Sequence, residues 1–386
     1  MSRSYAGPVA ATVFLPLPST RRDPAVGRTP ARQEGHAPAR PDTPALVDRF
    51  GRVATDLRLS VTDRCNLRCT YCMPAEGVDW LPRADLLTAA ELVRLAGVAV
   101  TALGVRHVRL TGGEPLLRPD LADIVAGLAS LEPRPRIAMT TNAVGLARSA
   151  AGLAAAGLDR VNVSLDTLRP ETFRALARRD RLVDTLAGLA AAASAGLAPV
   201  KVNTVLMRGV NDEEAPALLR FCLEHGYELR FIEQMPLDAG HGWQRSTMVT
   251  AQQIRERLAR DFEVVPDEVP RGSAPAERFR VRSRDGLLAG RVGIVASVTA
   301  SFCGACDRTR LTADGQLRSC LFSHTETDLR GMLRSGADDA QIASAWRDTM
   351  WAKTAGHGTD GELDGSSGID SAGFVQPDRP MSAIGG

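Results

Sequence analysis

The chain has 386 residues, 44% hydrophobic and 24% charged, with basic residues exceeding acidic ones by only two. That balance excludes a globally basic nucleic-acid binder or a polybasic membrane-surface protein, and no run of about eighteen uncharged apolar residues marks a membrane span. The start lacks a charged-then-apolar signal pattern, so the expectation is a soluble, cytoplasmic protein with no nucleic-acid or membrane partner.

Residues 1–46 are rich in Pro, Arg and Ala without apolar periodicity and read as a disordered leader, with an organelle transit peptide as the weaker alternative. Over residues 47–238 a rhythm begins. Strand-like runs recur at "LRLSVT" (57–62), "HVRLTGG" (107–113), "RIAMTTN" (136–142), "RVNVSLD" (160–166), "VKVNTV" (200–205) and "YELRFIEQM" (227–235). Between them lie helical patterns, among them 88–104 and 211–226, with Thr88 and Asn211 placed as N-caps and Gly104 and Gly226 as stops. Strand, helix, strand, repeated, predicts a parallel sheet with right-handed crossovers. The unusual polar residues gather at the carboxyl ends of the strands, where α/β folds build their sites. Five or six strand ends sharing one site suit a curved sheet, so the predicted fold is α/β, a partial (β/α)6 TIM-type barrel. Residues 239–353 are β-rich and then helical and form a C-terminal domain; residues 354–386, rich in Gly, Ser and Asp, read as a flexible tail ending in Gly385 and Gly386.

Seven cysteines in a protein that is not exported are not a disulfide framework. Cys222 sits on a helical apolar pattern and reads as a small buried hydrophobe. The other six form two triads. Cys65, Cys69 and Cys72 occupy three corners of what suits a 4Fe-4S cube with one iron left open; a zinc site that borrows a remote fourth ligand is the alternative. Cys303, Cys306 and Cys320 repeat the arrangement, and His324 makes a Cys3His zinc site an equal rival there. Between those cysteines, Arg308 and Arg310 alternate, so in an extended segment both guanidiniums point one way and suit phosphate oxygens. A solvated pair on a β edge is the blander reading. Lys201 and Lys353 are the chain's two lysines. In a chain that otherwise uses arginine, which fits GC-rich coding, a retained lysine marks a position of interest.

The spacing Cys65-x3-Cys69-x2-Cys72, with Tyr71 before the third cysteine and "GGEP" at 112–115, resembles the signature of the radical S-adenosylmethionine (SAM) superfamily. In that superfamily the open iron chelates SAM, whose cleavage gives methionine and a 5′-deoxyadenosyl radical. Gly112 and Gly113 are expected to allow close backbone approach to the methionine moiety. From about residue 47 to the end, phrases such as "LRLSVTDRCNLRCTYC", "VRLTGGEPLLR", "NVSLDTL", "VKVNTVLMRGVND", "LRFIEQMP" and "FCGACDRTRL" resemble the GTP 3′,8-cyclase family of molybdenum cofactor biosynthesis.

The resemblance implies a lyase with two 4Fe-4S clusters, at Cys65, Cys69 and Cys72 and at Cys303, Cys306 and Cys320, and a C-terminal domain covering the open side of the barrel. It places SAM against Tyr71, Gly113, Ser164 and Met235, and GTP against Arg58, Arg109, Thr140, Lys201, Arg308, Thr309 and Arg310. Hydrogen abstraction from ribose C3′ would let that carbon attack guanine C8. The ending "RPMSAIGG" matches the family's ending, which implies that Gly385 and Gly386 enter the active site and join Arg308 and Arg310 in assisting catalysis. It further implies a flavodoxin- or ferredoxin-like electron donor and a downstream cyclic pyranopterin monophosphate synthase, and leaves a homodimer open. Two departures stand out: His107 where relatives commonly have lysine, which makes one anion contact pH-sensitive or lost, and Ala143 where they have glycine, a strained position if its φ is positive. A peptide-modifying radical SAM maturase and a zinc-stabilised binding protein are the rival readings.

Overall fold

The computed structural model describes residues 39–356, 369 and 374–385. Alternation along each short strand sends apolar side chains to the helices and polar ones to the other face. In β1 (Asp56–Ser60), Leu57 and Leu59 are fully buried in the core, while Asp56, Arg58 and Ser60 face the barrel interior. The same phase recurs in β2 (His107–Thr111), β3 (Arg136–Thr141), β4 (Arg160–Ser164), β5 (Lys201–Val205) and β6 (Glu228–Ile232).

The later strands are β7 (Phe262–Pro266), β8 (Glu277–Ser283), β9 (Ala289–Val295), β10 (Arg308–Leu311), β11 (Gln316–Arg318) and β12 (Thr327–Asp328). All twelve form one sheet in the order β12-β11-β10-β1-β2-β3-β4-β5-β6-β9-β8-β7. The six expected barrel strands are parallel neighbours in chain order, and β10 joins β1 and β9 joins β6 in the same direction. The C-terminal region thus extends the parallel sheet at both edges, with antiparallel β11–β12 and β8–β7 outside.

Helix Ala89–Thr101 begins at Thr88 with a reciprocal capping box to Glu91, and Gly104 follows it at φ +75°. Asn211 stands at the N-cap of the short turn Asp212–Glu214 that precedes helix Ala215–Glu224, but its side chain makes no cap and instead bonds Met207 N, Asp166 O and Val205 O. Helix Asp339–Trp351 packs behind β10, where fully buried Trp346 donates from Nε1 to Thr309 Oγ1 at 3.0 Å.

Two segments expected to be loose are packed. Leu46, assigned to the leader, is fully buried, because a single apolar residue shows no periodicity in sequence. Ile384, assigned to the flexible tail, is fully buried against a cluster with Leu237 and Phe322. Gly386 lies outside the described residues.

Candidate active site

The first triad follows the carboxyl end of β1. Its loop is held from inside and outside: Cys72 N and Met73 N donate to the Cys69 carbonyl, and Arg68 N and Thr70 N donate to carbonyls of helix Pro170–Ala177. Cys65, Cys69, Tyr71 and Cys72 line one cavity with Gly113, Thr140, Ser164 and Met235, and with Met381 and Ser382 of the C-terminal turn. Burial pushes the Cys72 thiol up to about 12 and raises Cys69 well above its ordinary value, with Asp166 and the neighbouring thiols adding to it. Such thiols bind as thiolates only against a compensating cation, which an iron cluster supplies.

Gly112 and Gly113 serve this loop directly. A Cβ on Gly112 would lie 2.0 Å from the Thr62 carbonyl oxygen, and one on Gly113 would lie 2.2 Å from that of Arg64. Gly113 N and Glu114 N donate to those carbonyls. The glycine pair thus lets the cysteine loop's own backbone approach closely, while both glycines also line the cavity.

Two carboxyls stand out. Fully buried Glu114 accepts from Thr141 Oγ1 at 2.6 Å, Asn142 N at 2.6 Å and Leu116 N at 3.0 Å, and burial carries its pKa up to about 7. Asp166 accepts from the Tyr71 hydroxyl at 2.7 Å and from Val205 N at 2.9 Å, and desolvation raises it to about 6. Asp166 thus orients the ring beside Cys72.

Deeper along the strands lies a cationic cluster. Register places Arg310, Arg58 and Arg109 side by side on β10, β1 and β2. Arg160 and Arg230, which no sequence motif marks, join them: both are in the inward phase of their strands and interact electrostatically with Arg58. Their signal was present as the phase they share with Asn162 and Ser164 on β4 and with Ile232 on β6. Arg109 is depressed well below the arginine range, first by burial and then by Arg58. Burial, Arg160 and Arg58 bring Arg230 to about 10; burial, Arg58 and Arg308 bring Arg310 to about 9. Arginine keeps its proton, so this stress is relieved by an anion. Among the described residues, Nε of Arg109, Nε of Arg230, and Nε and Nη2 of Arg308 have no hydrogen-bond partner.

The acids present are too few to satisfy the cluster. Asp56 bonds Arg58 at 2.9 Å, and although burial works to raise it, Arg58, Arg109 and Arg308 hold it below the ordinary carboxylate range. Lys201, expected to hold GTP, pairs with Glu228 at 2.5 Å. Thr309 turns its side chain to the opposite face, onto Trp346, because adjacent strand residues alternate. It shares the interior only through its backbone.

The second triad lies at the other end of the barrel. Cys303 and Cys306 bracket a helical turn just before the amino end of β10, and Cys320 follows β11, which runs antiparallel to β10. Burial raises the Cys320 thiol, and Cys303 and Cys306 add to it. At Cys306 burial also works upward, but Lys353 and Arg308 outweigh it and lower the thiol's pKa. His324 is exposed. Among the described residues no three Cys, His, Asp or Glu side chains gather around the position of a single ion. Three thiolates suit a 4Fe-4S cube, in which each takes its own iron.

A parallel α/β barrel with a three-cysteine loop after its first strand defines a radical SAM protein, and the Radical SAM superfamily model matches residues 59–222. The Molybdenum Cofactor Synthesis C model matches residues 227–359. The GTP 3′,8-cyclase of Streptomyces coelicolor is 63% identical over 342 residues, covering 88% of this chain and 96% of that protein. That of Mycolicibacterium smegmatis is 57% identical over 372 residues, covering 96% and 99%. SuiB of Streptococcus suis, solved with S-adenosylmethionine, shares the fold at a TM-score of 0.54 with 15% identity, over 83% of this chain and 72% of that one. The chain belongs to the GTP 3′,8-cyclase family of radical SAM enzymes, and with it takes SAM and a 4Fe-4S cluster. Among the described residues no helix is long and apolar enough to cross a membrane.

Proposed function

We infer that the chain is a radical SAM GTP 3′,8-cyclase, converting GTP to (8S)-3′,8-cyclo-7,8-dihydroguanosine 5′-triphosphate early in molybdenum cofactor biosynthesis. Relatives of that name at 57–63% identity over most of the chain support it. The observation that carries it is the row of clustered guanidiniums, with buried donor atoms of Arg109, Arg230 and Arg308 left unpartnered among the described residues, between two cysteine triads at opposite ends of one parallel sheet. A multiply charged nucleotide is the anion such a row fits, since Arg forks bind phosphate in bidentate fashion and an enclosed anion must be paired.

Cys65, Cys69 and Cys72 hold the first cluster, with SAM in the cavity lined by Tyr71, Gly113, Ser164 and Met235. When bound, cluster and SAM would supply the one-electron chemistry needed to remove a hydrogen atom from ribose C3′. The chain's own residues place that carbon. Arg58, Arg109, Arg308 and Arg310 bind the triphosphate together with Arg160 and Arg230, and Thr140 and the backbone at Thr309 border it. Lys201 exchanges its Glu228 partner for substrate, at little cost because Glu228 is exposed. Cys303, Cys306 and Cys320 would hold a second 4Fe-4S cluster, which would supply a further iron site for the substrate at the far end of the guanidinium row. A low-potential flavodoxin- or ferredoxin-like donor supplies electrons, and a cyclic pyranopterin monophosphate synthase consumes the product.

The test is anaerobic turnover with SAM and dithionite. 5′-Deoxyadenosine forms with GTP and not without it. Cys69→Ser abolishes SAM cleavage and cyclisation, whereas Cys306→Ser keeps the first cluster and loses cyclisation. SAM cleavage that ignores GTP would move the assignment to another radical SAM reaction.

A further inference from the structure

Lys353 stands just past helix Asp339–Trp351 and is 2% exposed. Its ammonium donates to the Arg308 carbonyl at 2.8 Å and to Cys306 Sγ at 3.3 Å. Among the described residues those are its acceptors, and no carboxylate pairs with it. Burying an ammonium without a counter-charge costs several kcal/mol, so the compensating negative charge belongs to the cysteine side. Its field also reaches Cys320. The site explains why this position is lysine in an arginine-rich chain. A compact ammonium with three donors is met by one carbonyl and sulfur, whereas the five donors of a guanidinium fork would go unsatisfied there.

We propose that Lys353 is a positioning residue for the second iron-sulfur cluster: it fixes the Cys306 sulfur through an N–H···S hydrogen bond and, by its charge, raises that cluster's reduction potential. The proposal rests on the reading of Cys303, Cys306 and Cys320 as a 4Fe-4S site. Cluster potentials respond to local charge, burial and hydrogen bonds to the ligand sulfurs, and Lys353 supplies all three at one cysteine. Adding an electron beside a fixed cation is favourable, so the reduced state gains most. Because the same ammonium holds the Arg308 carbonyl, cluster and guanidinium row share one anchor.

The experiment compares anaerobically reconstituted full-length protein with Lys353→Met and Lys353→Arg. Iron and sulfide are counted per chain, and both clusters are titrated by electron paramagnetic resonance. The first cluster's signal is recognised by its change on adding SAM. The expected result is about eight irons in each protein and a second-cluster midpoint lowered in Lys353→Met. The lowering corresponds to at least a tenfold fall in the reduced-to-oxidised ratio, about 59 mV for one electron, with the first signal unmoved and a smaller shift in Lys353→Arg. Loss of the second cluster in Lys353→Met alone also supports a holding role for the charge. An unchanged midpoint in a fully loaded Lys353→Met, or loss of the cluster in both variants, overturns the proposal and leaves the second-cluster reading standing. About four irons in the unmodified protein overturns that reading and the proposal with it.

Discussion

The Arg310 guanidinium donates a hydrogen bond to the backbone carbonyl of Gly385, which places the C-terminal turn inside the barrel. Gly385 has φ +71°, and a Cβ there would lie 2.3 Å from Thr111 Oγ1 and 2.5 Å from Ser60 Oγ. Only glycine enters, since both the backbone conformation and the space exclude a side chain. Gly385→Ala is therefore expected to expel the turn and lower cyclisation tenfold or more while iron content stays the same. Unchanged turnover would remove the turn from the active site.

Arg230 owes its place to a neighbour without a side chain. Its Cγ lies 2.9 Å from where a Cβ on Gly293, its register partner on β9, would be. Arg230→Ala should weaken GTP binding about tenfold to a hundredfold, the loss of one charge-assisted hydrogen bond of roughly 1.5–3 kcal/mol. Gly293→Ala should weaken it by less, by displacing rather than removing the guanidinium. Calorimetric titration of GTP into loaded protein checks both, and equal affinities would take Arg230 out of the substrate's seat.

The barrel was legible because its signals are local: β-branched runs of alternating phase, a capping box at Thr88 and polar strand ends each need only a few neighbouring residues. The joining of β9 to β6 and β10 to β1 was not, because the partner of β10 lies some two hundred and fifty residues away and no local pattern names it. The cysteines and Arg308 with Arg310 were readable from spacing. Arg160 and Arg230 were hidden by composition, since in a chain so rich in arginine two more carry no contrast until strand phase is considered. Helix Ala251–Leu258 was missed although its capping box, Thr250 with Gln253, was in plain view.

Glu114 gives a pH dependence with a definite sign. Its folded pKa, about 7, exceeds the ordinary 4.5, so the folded protein holds a proton there that the unfolded chain releases first. The resulting stability is complete below about pH 4.5 and is lost as pH rises through about 7, on the order of 3 kcal/mol in all. Urea unfolding at about pH 5 and about pH 8 should show a loss in the unmodified protein that Glu114→Gln lacks. Parallel losses in both would contradict it.

Ala143 sits at φ +62° and is fully buried, so the strain expected of this departure from glycine is present. Ala143→Gly relieves about 1–2 kcal/mol of left-handed strain. It adds about 0.5–1 kcal/mol of backbone entropy and forfeits about 0.8 kcal/mol of methyl burial. The terms nearly cancel, so thermal melting should move little. Ala143→Val, which brings a branched side chain into the same conformation against Gly188, should cost about 2 kcal/mol or more. Equal melting of all three proteins would show that the backbone here is relaxed.

The central claim is that the guanidinium row holds GTP so that ribose C3′ faces the SAM cavity. Anaerobic turnover of GTP deuterated at C3′, with mass spectrometry of the 5′-deoxyadenosine produced, tests it most directly. The account predicts one deuterium in the 5′-deoxyadenosine; 5′-deoxyadenosine without deuterium from that position would contradict it.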